Sequence, residues 1–219
     1  LQQGEPYAGW ADQYTVDDLK PAHARSYEPR SVNTGTTVRL VNLMMDYYKL
    51  TADTRFLSGI PAAIHFLESM KLPESDVKKW KRQSNNPEAI LVPRFVDPDT
   101  GKPLYVHRKG SNVKNGTYYI DQNIENTIGH YNSATFVNPS ELRRRYEEVK
   151  KIPVSELAKN SPFLQDQLVP LPKYYTRLRG KATEEVARGL VKSLTKDGCW
   201  LSPLKSTSNP YKPYISFRS

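Results

Sequence analysis

Three arginines define the chemistry this sequence could carry. Arg25 lies in Pro21-Ala22-His23-Ala24-Arg25-Ser26-Tyr27-Glu28, Arg94 follows Pro93 in a short β-like run, and Arg108 closes a second such run after His107. A guanidinium is a planar, charged fork that pairs with a carboxylate through two parallel hydrogen bonds. Several converging on one groove could hold an anionic polymer and steady negative charge that grows during reaction. Each also has a plainer reading. Arg25 can pair with Glu28 three residues on. Arg94 beside Phe95 can lay its stem along a strand edge, and Arg108 can pair with Asp97 or Asp99 across a hairpin. Trp10, close to Gln13, is either a core residue or a face on which a sugar ring stacks. His23, His107 and His130 fit no compact ligand set and read as structural. The lone Cys199 forms neither an intramolecular disulfide nor a zinc pattern.

The elements that must position these residues are legible in the periodicity. Over 36–50, Val38, Val41, Met45 and Tyr48 recur at helical spacing, and Leu40, Leu43, Met44 and Tyr47 widen the stripe, which predicts a helix packed on more than one side. Thr51-Ala52-Asp53 offers a turn and cap before a second stripe of Phe56, Ile60, Ala63, Ile64, Leu67 and Met70. The short connection makes the pair an αα-hairpin, and Pro61 predicts a kink or a later helix start. A charged, exposed stretch over 71–86 leads to β-like runs at 90–96 and 104–107, joined by Asp97-Pro98-Asp99-Thr100-Gly101, a sequence with turn chemistry. A small hairpin would therefore carry Arg94 and Arg108 on neighbouring strands. Asn115-Gly116 marks another turn before 117–120. Asn138-Pro139-Ser140-Glu141 is a helix N-terminus, with Arg143, Arg144 and Arg145 on a solvated face beyond it. Residues 162–172 read as an extended strap, Val186, Leu190, Val191 and Leu194 as an amphipathic helix ending near Gly198, and the last twenty residues as an ordered tail.

The chain of 219 residues suits one domain, 1–219, with a real core. Its net charge of +9 favours polyanionic partners, although charge alone also serves solubility. Nucleic acid, anionic lipid and uronic-acid polymers are the classes that this field leaves open. The 14 tyrosines could stack bases. The basic residues are nevertheless scattered rather than gathered in a stripe and no nucleic-acid motif is present, so nucleic acid is not the expected partner. No run is apolar and long enough to span a bilayer and no signal peptide is visible, so a membrane is not expected as a partner either.

A resemblance narrows the choice. Trp10, Gln13 and Tyr14, then Leu19, Pro21, Ala22, Ala24, Arg25, Tyr27 and Glu28, follow the pattern WxxQY…LxPAxARxYE. Pro93-Arg94-Phe95 with Lys102-Pro103-Leu104-Tyr105-Val106-His107-Arg108-Lys109-Gly110 resembles RFYDxxTxxPxFxxRDG. In this order the segments are similar to those of the bacterial pectate lyases of polysaccharide lyase family 10. The resemblance implies a mainly α fold, an incomplete α/α toroid with a small β-hairpin excursion and long loops, forming the C-terminal half of a catalytic domain. It implies calcium-assisted β-elimination on a pectate-like polymer, with Arg25 as base. Arg94, Arg108, Trp10, Gln13 and Tyr131 would bind substrate and Glu28 would position Arg25. Tyr131 enters because its Gly-His-Tyr segment lies near a Gly-Tyr pair of the family. The family's calcium ligands belong to a half that precedes the first motif, so no metal ligand is expected in this chain, and a companion fragment or chain would complete the barrel. A polymeric substrate implies a secreted or periplasmic protein. A non-catalytic relative that binds acidic polysaccharide, and a basic nucleic-acid binder, are the competing readings.

Overall fold

The computed structural model describes residues 2–80, 82–110, 116–129, 131–161, 163–164, 183–196 and 198. The chain divides into two compact units, Leu1–Val169 and Pro170–Ser219.

In the first unit, β1 (Val32–Asn33) runs directly into α1 (Thr34–Thr51). The side chain of Asn33 accepts the N–H of Thr36 at 3.1 Å, satisfying one of the amides that a helix start leaves free. The helix stops at Ala52, left-handed at φ 56°, whose N–H bonds the carbonyl of Tyr48. After the single turn α2 (Arg55–Ser58), α3 (Ile60–Ser69) begins with Pro61 in its first turn, so the proline sets a later start rather than a kink. Val41, Met45 and Tyr48 of α1 share one core with Ile60, Ala63, Ile64, Phe66 and Leu67 of α3. Leu142 and Val149 of α5 (Pro139–Lys150) and Leu157 of α6 (Val154–Asn160) complete it. Each fully buried Val, Leu, Ile, Met or Phe among them contributes about 1.5–3 kcal/mol through burial.

Asn138 caps α5 as its sequence predicts, accepting the N–H of Glu141 at 2.9 Å. Its three arginines do not form an anion patch. Arg143 grips Glu68 at 2.8 Å, Arg144 pairs with Glu141, and Arg145 reaches the Asn42 carboxamide oxygen.

Between α3 and α5 the chain is largely β. The charged 71–86 stretch contains α4 (Glu74–Trp80), whose Val77 and Trp80 pack on a second core of Leu72, Leu91, Tyr105, Ile124 and Ala134. Beyond it lie β2 (Ile90–Pro93), β3 (Phe95–Val96), β4 (Pro103–Lys109), β5 (Thr117–Asp121) and β6 (Ala134–Val137). They form a four-stranded sheet of order β1-β3-β4-β5 and a separate β2-β6 pair, with every pairing antiparallel.

This corrects the expected fold. The chain is mixed α/β, not a mainly α toroid, and the described residues show no ring of helical hairpins. The predicted αα-hairpin does form, but the apolar faces of α1 and α3 are closed by α5 and α6 rather than by further hairpins. The excursion expected as one small hairpin is two sheets, because β1 adds to β3 and β6 returns to β2 from far along the chain.

One close approach ties the first motif to this core. A Cβ on Gly9 would come within 2.5 Å of Val32 Cγ1, 2.7 Å of Thr37 Oγ1 and 2.8 Å of Phe66 Cε1, so the backbone there passes between β1, α1 and α3 only as glycine. Trp10 follows, 5% exposed within the helical core, with its N–H donated to Thr37 Oγ1 at 3.1 Å.

In the second unit, α7 (Glu184–Lys192) is capped by Thr183 and exposes Val186, Leu190 and Val191, close to the predicted helix. Residues 162 and 165–172 of the predicted strap, the tail and Cys199 lie outside the described residues, while Phe163 and Leu164 form a turn that packs Leu164 against the helical core. No helix among the described residues is long and apolar enough to cross a membrane.

Candidate active site

Arg94 sits at the bend between β2 and β3, and its backbone is held on both sides. Its N–H bonds Ser133 O at 2.8 Å, and its carbonyl accepts the N–H of Thr34, at the start of α1, at 3.0 Å. The bend turns the guanidinium over the ring of Tyr131, 4.1 Å from the centroid, where Nη1 donates to Asn132 O at 3.2 Å. Among the described residues no carboxylate pairs with it.

Tyr131 joins Arg94 to Arg25. Its hydroxyl donates to Glu28 Oε1 at 2.9 Å, and the same oxygen accepts from Arg25 Nη1 at 2.9 Å. Glu28 is 5% exposed while the side chain of Arg25 is 65% exposed, so an anchored carboxylate holds an accessible cation. The other oxygen of Glu28 accepts the backbone N–H of Arg25 at 3.2 Å, closing the turn that presents the arginine.

The electrostatics follow from this geometry. The charge of Glu28 pushes the Arg25 pKa further above its ordinary value. Burial pushes the Glu28 carboxyl up, but hydrogen bonds from Tyr131 and Arg25 outweigh it, and the group ends below the ordinary carboxylate value. Burial, then the bond to Glu28, raises the Tyr131 hydroxyl, so it is a neutral donor.

Aromatic rings support the cluster. Tyr27 lies 5.4 Å from Tyr131 and 5.5 Å from Tyr118, and Phe95 stacks on Tyr131 at 5.9 Å with 10° between the planes. These rings pack with Val106 and Ile128 in a third small core. Strand alternation puts Arg108 on the same face of β4 as Val106, and it stands opposite Tyr118 in register. Arg108 donates from Nε to Gly110 O at 3.2 Å rather than to either aspartate of the hairpin turn. Asp99 is paired with Arg30, and Asp97 accepts the turn amides of Asp99 and Thr100.

The structure thus brings together Arg25, Glu28, Arg94 and Tyr131, with Arg108 at the edge of the same aromatic platform. It does not bring Trp10 there, since the indole is in the helical core and closed to a sugar ring. Gln13 is half-buried, and its carbonyl accepts the N–H of Ala22 at 3.0 Å, closing the loop that leads to Arg25. His107, 3% exposed, places Nε2 2.8 Å from Asp121 Oδ1 and Nδ1 3.3 Å from Asn126 O. That is a structural role, as the sequence suggests. His130 lies outside the described residues. Tyr27 and Phe95 enter the sequence reading only as members of the motifs, and Tyr118 and Asn132 not at all, for isolated residues on separate loops and strands carry no periodicity.

Calcium takes six to eight oxygen ligands, with carboxylates prominent among them. The described residues contain no group of three or more Asp, Glu, His or Cys side chains that could hold a metal. The carboxylate within the cluster and one close enough to act on Tyr131 are already engaged. Glu28 serves Arg25 and Tyr131, and Asp12 bonds Asn33 Nδ2 at 2.6 Å and the Thr36 hydroxyl. The described residues do not compose a calcium cage.

A fixed, partly buried carboxylate, an exposed guanidinium and a second guanidinium free to take a carboxylate, all beside an aromatic surface, suit an enzyme that handles acidic sugars. The chain belongs to the pectic acid lyase family, whose model matches residues 1–131, a span that ends at Tyr131 and takes in the whole cluster. No curated protein matches the chain.

Proposed function

We propose that this chain acts on a pectate-type uronic-acid polymer by β-elimination, with Arg25 as the base that removes the C5 proton. The reading rests on one observation: the guanidiniums of Arg25 and Arg94 are linked through Glu28 and Tyr131, one exposed and one without a carboxylate partner among the described residues. Arg94 takes the substrate carboxylate as a two-pronged pair and neutralises the charge that grows there as C5 loses its proton. Arg108, at the edge of the platform, holds a neighbouring part of the chain.

Arg25 paired with Glu28 is charged and cannot accept a proton. When substrate arrives, Tyr131 retains Glu28 while the exposed Arg25 turns away from it. Without its counter-charge and with Arg94 nearby, the guanidinium then loses a proton more readily. The C5–H pair becomes the C4=C5 double bond, the proton passes to Arg25, the C4–O bond breaks, and the departing oxygen takes a proton from water. No step is assigned to calcium. A polymer of this kind is met outside the cytoplasm, so the protein would work as a secreted or periplasmic one.

Polygalacturonate is supplied to the wild type and to Arg25→Ala, and ultraviolet absorbance of the unsaturated product is recorded. Wild-type product reduced about 100-fold or more in the variant is the expected result. Activity that survives the substitution would remove Arg25 from the mechanism. The charged Arg25–Glu28 pair and the lack of a calcium cage among the described residues favour a second reading, a relative that binds the polymer without cleaving it. Tight binding with no product would select it.

A further inference from the structure

Beside this cluster lies a cleft of about 270 Å³ between the end of α4 and the loop that follows β5. Lys79, Trp80, Arg82, Asn126, Thr127 and Asn132 contribute to its wall. Arg82 is the notable group. Its guanidinium rests 5.3 Å from the centroid of the Trp80 ring, and Nη1 donates to Asn132 Oδ1 at 2.8 Å. It is thus exposed, held from two sides, and paired with no carboxylate among the described residues. Lys79 and Glu125 also line the cleft, with Lys79 loosely engaged with Asp76 at 3.8 Å and with Glu125 at 4.0 Å, which leaves Arg82 as the cation there without a carboxylate among the described residues.

Two residues make the cleft continuous with the candidate active site. Tyr131 lines it while holding Glu28 through its hydroxyl. Asn132 holds Arg82 with its side chain and Arg94 with its backbone carbonyl. Two guanidiniums, neither paired with a carboxylate among the described residues, are therefore anchored to one residue. A polymer with a carboxylate on every sugar would present the second anion at this place.

We propose that this cleft is a second uronate subsite, where Arg82, fixed by Trp80 and Asn132, binds the carboxylate of a sugar unit beyond the one held at Arg94. Lys79 adds positive charge, and the side chains of Asn126 and Thr127 offer hydrogen bonds to ring hydroxyls. The proposal rests on the pectate reading above, and it adds which residues of this chain hold the second sugar unit.

Titration calorimetry with oligogalacturonates of two to eight units separates the two ideas. Wild type, Arg82→Gln, Trp80→Ala and Arg94→Ala are compared, with thermal melts to confirm that each is folded. The expected result is affinity that rises with length in wild type, and a ratio of long-chain to short-chain affinity that falls about tenfold in Arg82→Gln. Trp80→Ala lowers the same ratio by releasing Arg82, and Arg94→Ala weakens every length. An unchanged ratio in Arg82→Gln and Trp80→Ala, with Arg94→Ala still weakened, would overturn the subsite and leave the main reading standing. Wild type that binds no oligogalacturonate of any length would overturn both.

Discussion

The helical core and the arginine face are built on opposite terms. Around α1, α3 and α5, apolar side chains fill the space, and the arginines at its rim are paired or bonded, Arg143 with Glu68, Arg144 with Glu141 and Arg145 with Asn42. On the sheet side, Arg82, Arg94 and Arg108 rest on rings and carbonyl oxygens and pair with no carboxylate among the described residues. Local compensation of charge stabilises a fold but leaves nothing for a ligand, because a guanidinium already gripped by a carboxylate has little to offer another. The uncompensated side is where an acidic polymer would gain most from binding.

Trp10 tests the division most severely, since the first motif places it with the site and the structure places it in the core. Trp10→Ala is expected to lose about 3–5 kcal/mol of stability, the range for truncating a large buried aromatic, read as a fall in the denaturation midpoint. An unchanged midpoint with a raised KM on polygalacturonate would move the residue to the arginine face. Glu28→Gln probes the other side. It removes the charge that holds Arg25 protonated, so the rising limb of the pH–rate profile should move to lower pH, a shift that a purely structural role would not produce. The same variant sharpens the stability argument. The folded-state pKa of Glu28 lies below the ordinary 4.5, so its contribution is complete above that value and disappears as pH falls through the lower one. The gap in thermal midpoint between wild type and Glu28→Gln should thus be constant near neutrality and close in acid. The smallest effect belongs to Tyr105, 1% exposed in the second core, with a hydroxyl that has no hydrogen-bond partner among the described residues. Burial raises its pKa, and Asp76 adds to the rise. Tyr105→Phe removes the orphaned group and should stabilise by about 1 kcal/mol, seen in chemical denaturation.

How much was legible depended on how local the signal was. The stripe from Val38 to Tyr48 and that from Phe56 to Met70 announced α1 and α3, because helical periodicity is written within a few turns. Asn138 announced α5 for the same reason. The arginine segments were readable from the order of their motifs, and Tyr131 from its neighbours. The β3–β4 hairpin was readable from its turn residues, but the wider sheets were not, since Ile90 pairs with Val137 and Val32 with Val96, partners that only the folded chain brings together. The helix α4 was hidden by its charged neighbours, and only Val77 and Trp80 face inward. Trp10 was ambiguous because one aromatic carries no period, and only its neighbours in space decide its role.

The position of Trp10 also bears on the order of assembly. Its ring shares a core with Leu142, Val149 and Leu157, more than a hundred residues further along the chain. The residues that Trp10 bonds directly, Asn33 and Thr37, follow soon after it, while the far wall of the core comes from α5 and α6, so that core closes only when those helices pack. Loop-closure entropy makes such distant contacts slow to form. The loop that leads to Arg25 is thereby backed by a core that is complete only once α5 and α6 have packed, and the exposed arginine is presented from that finished surface.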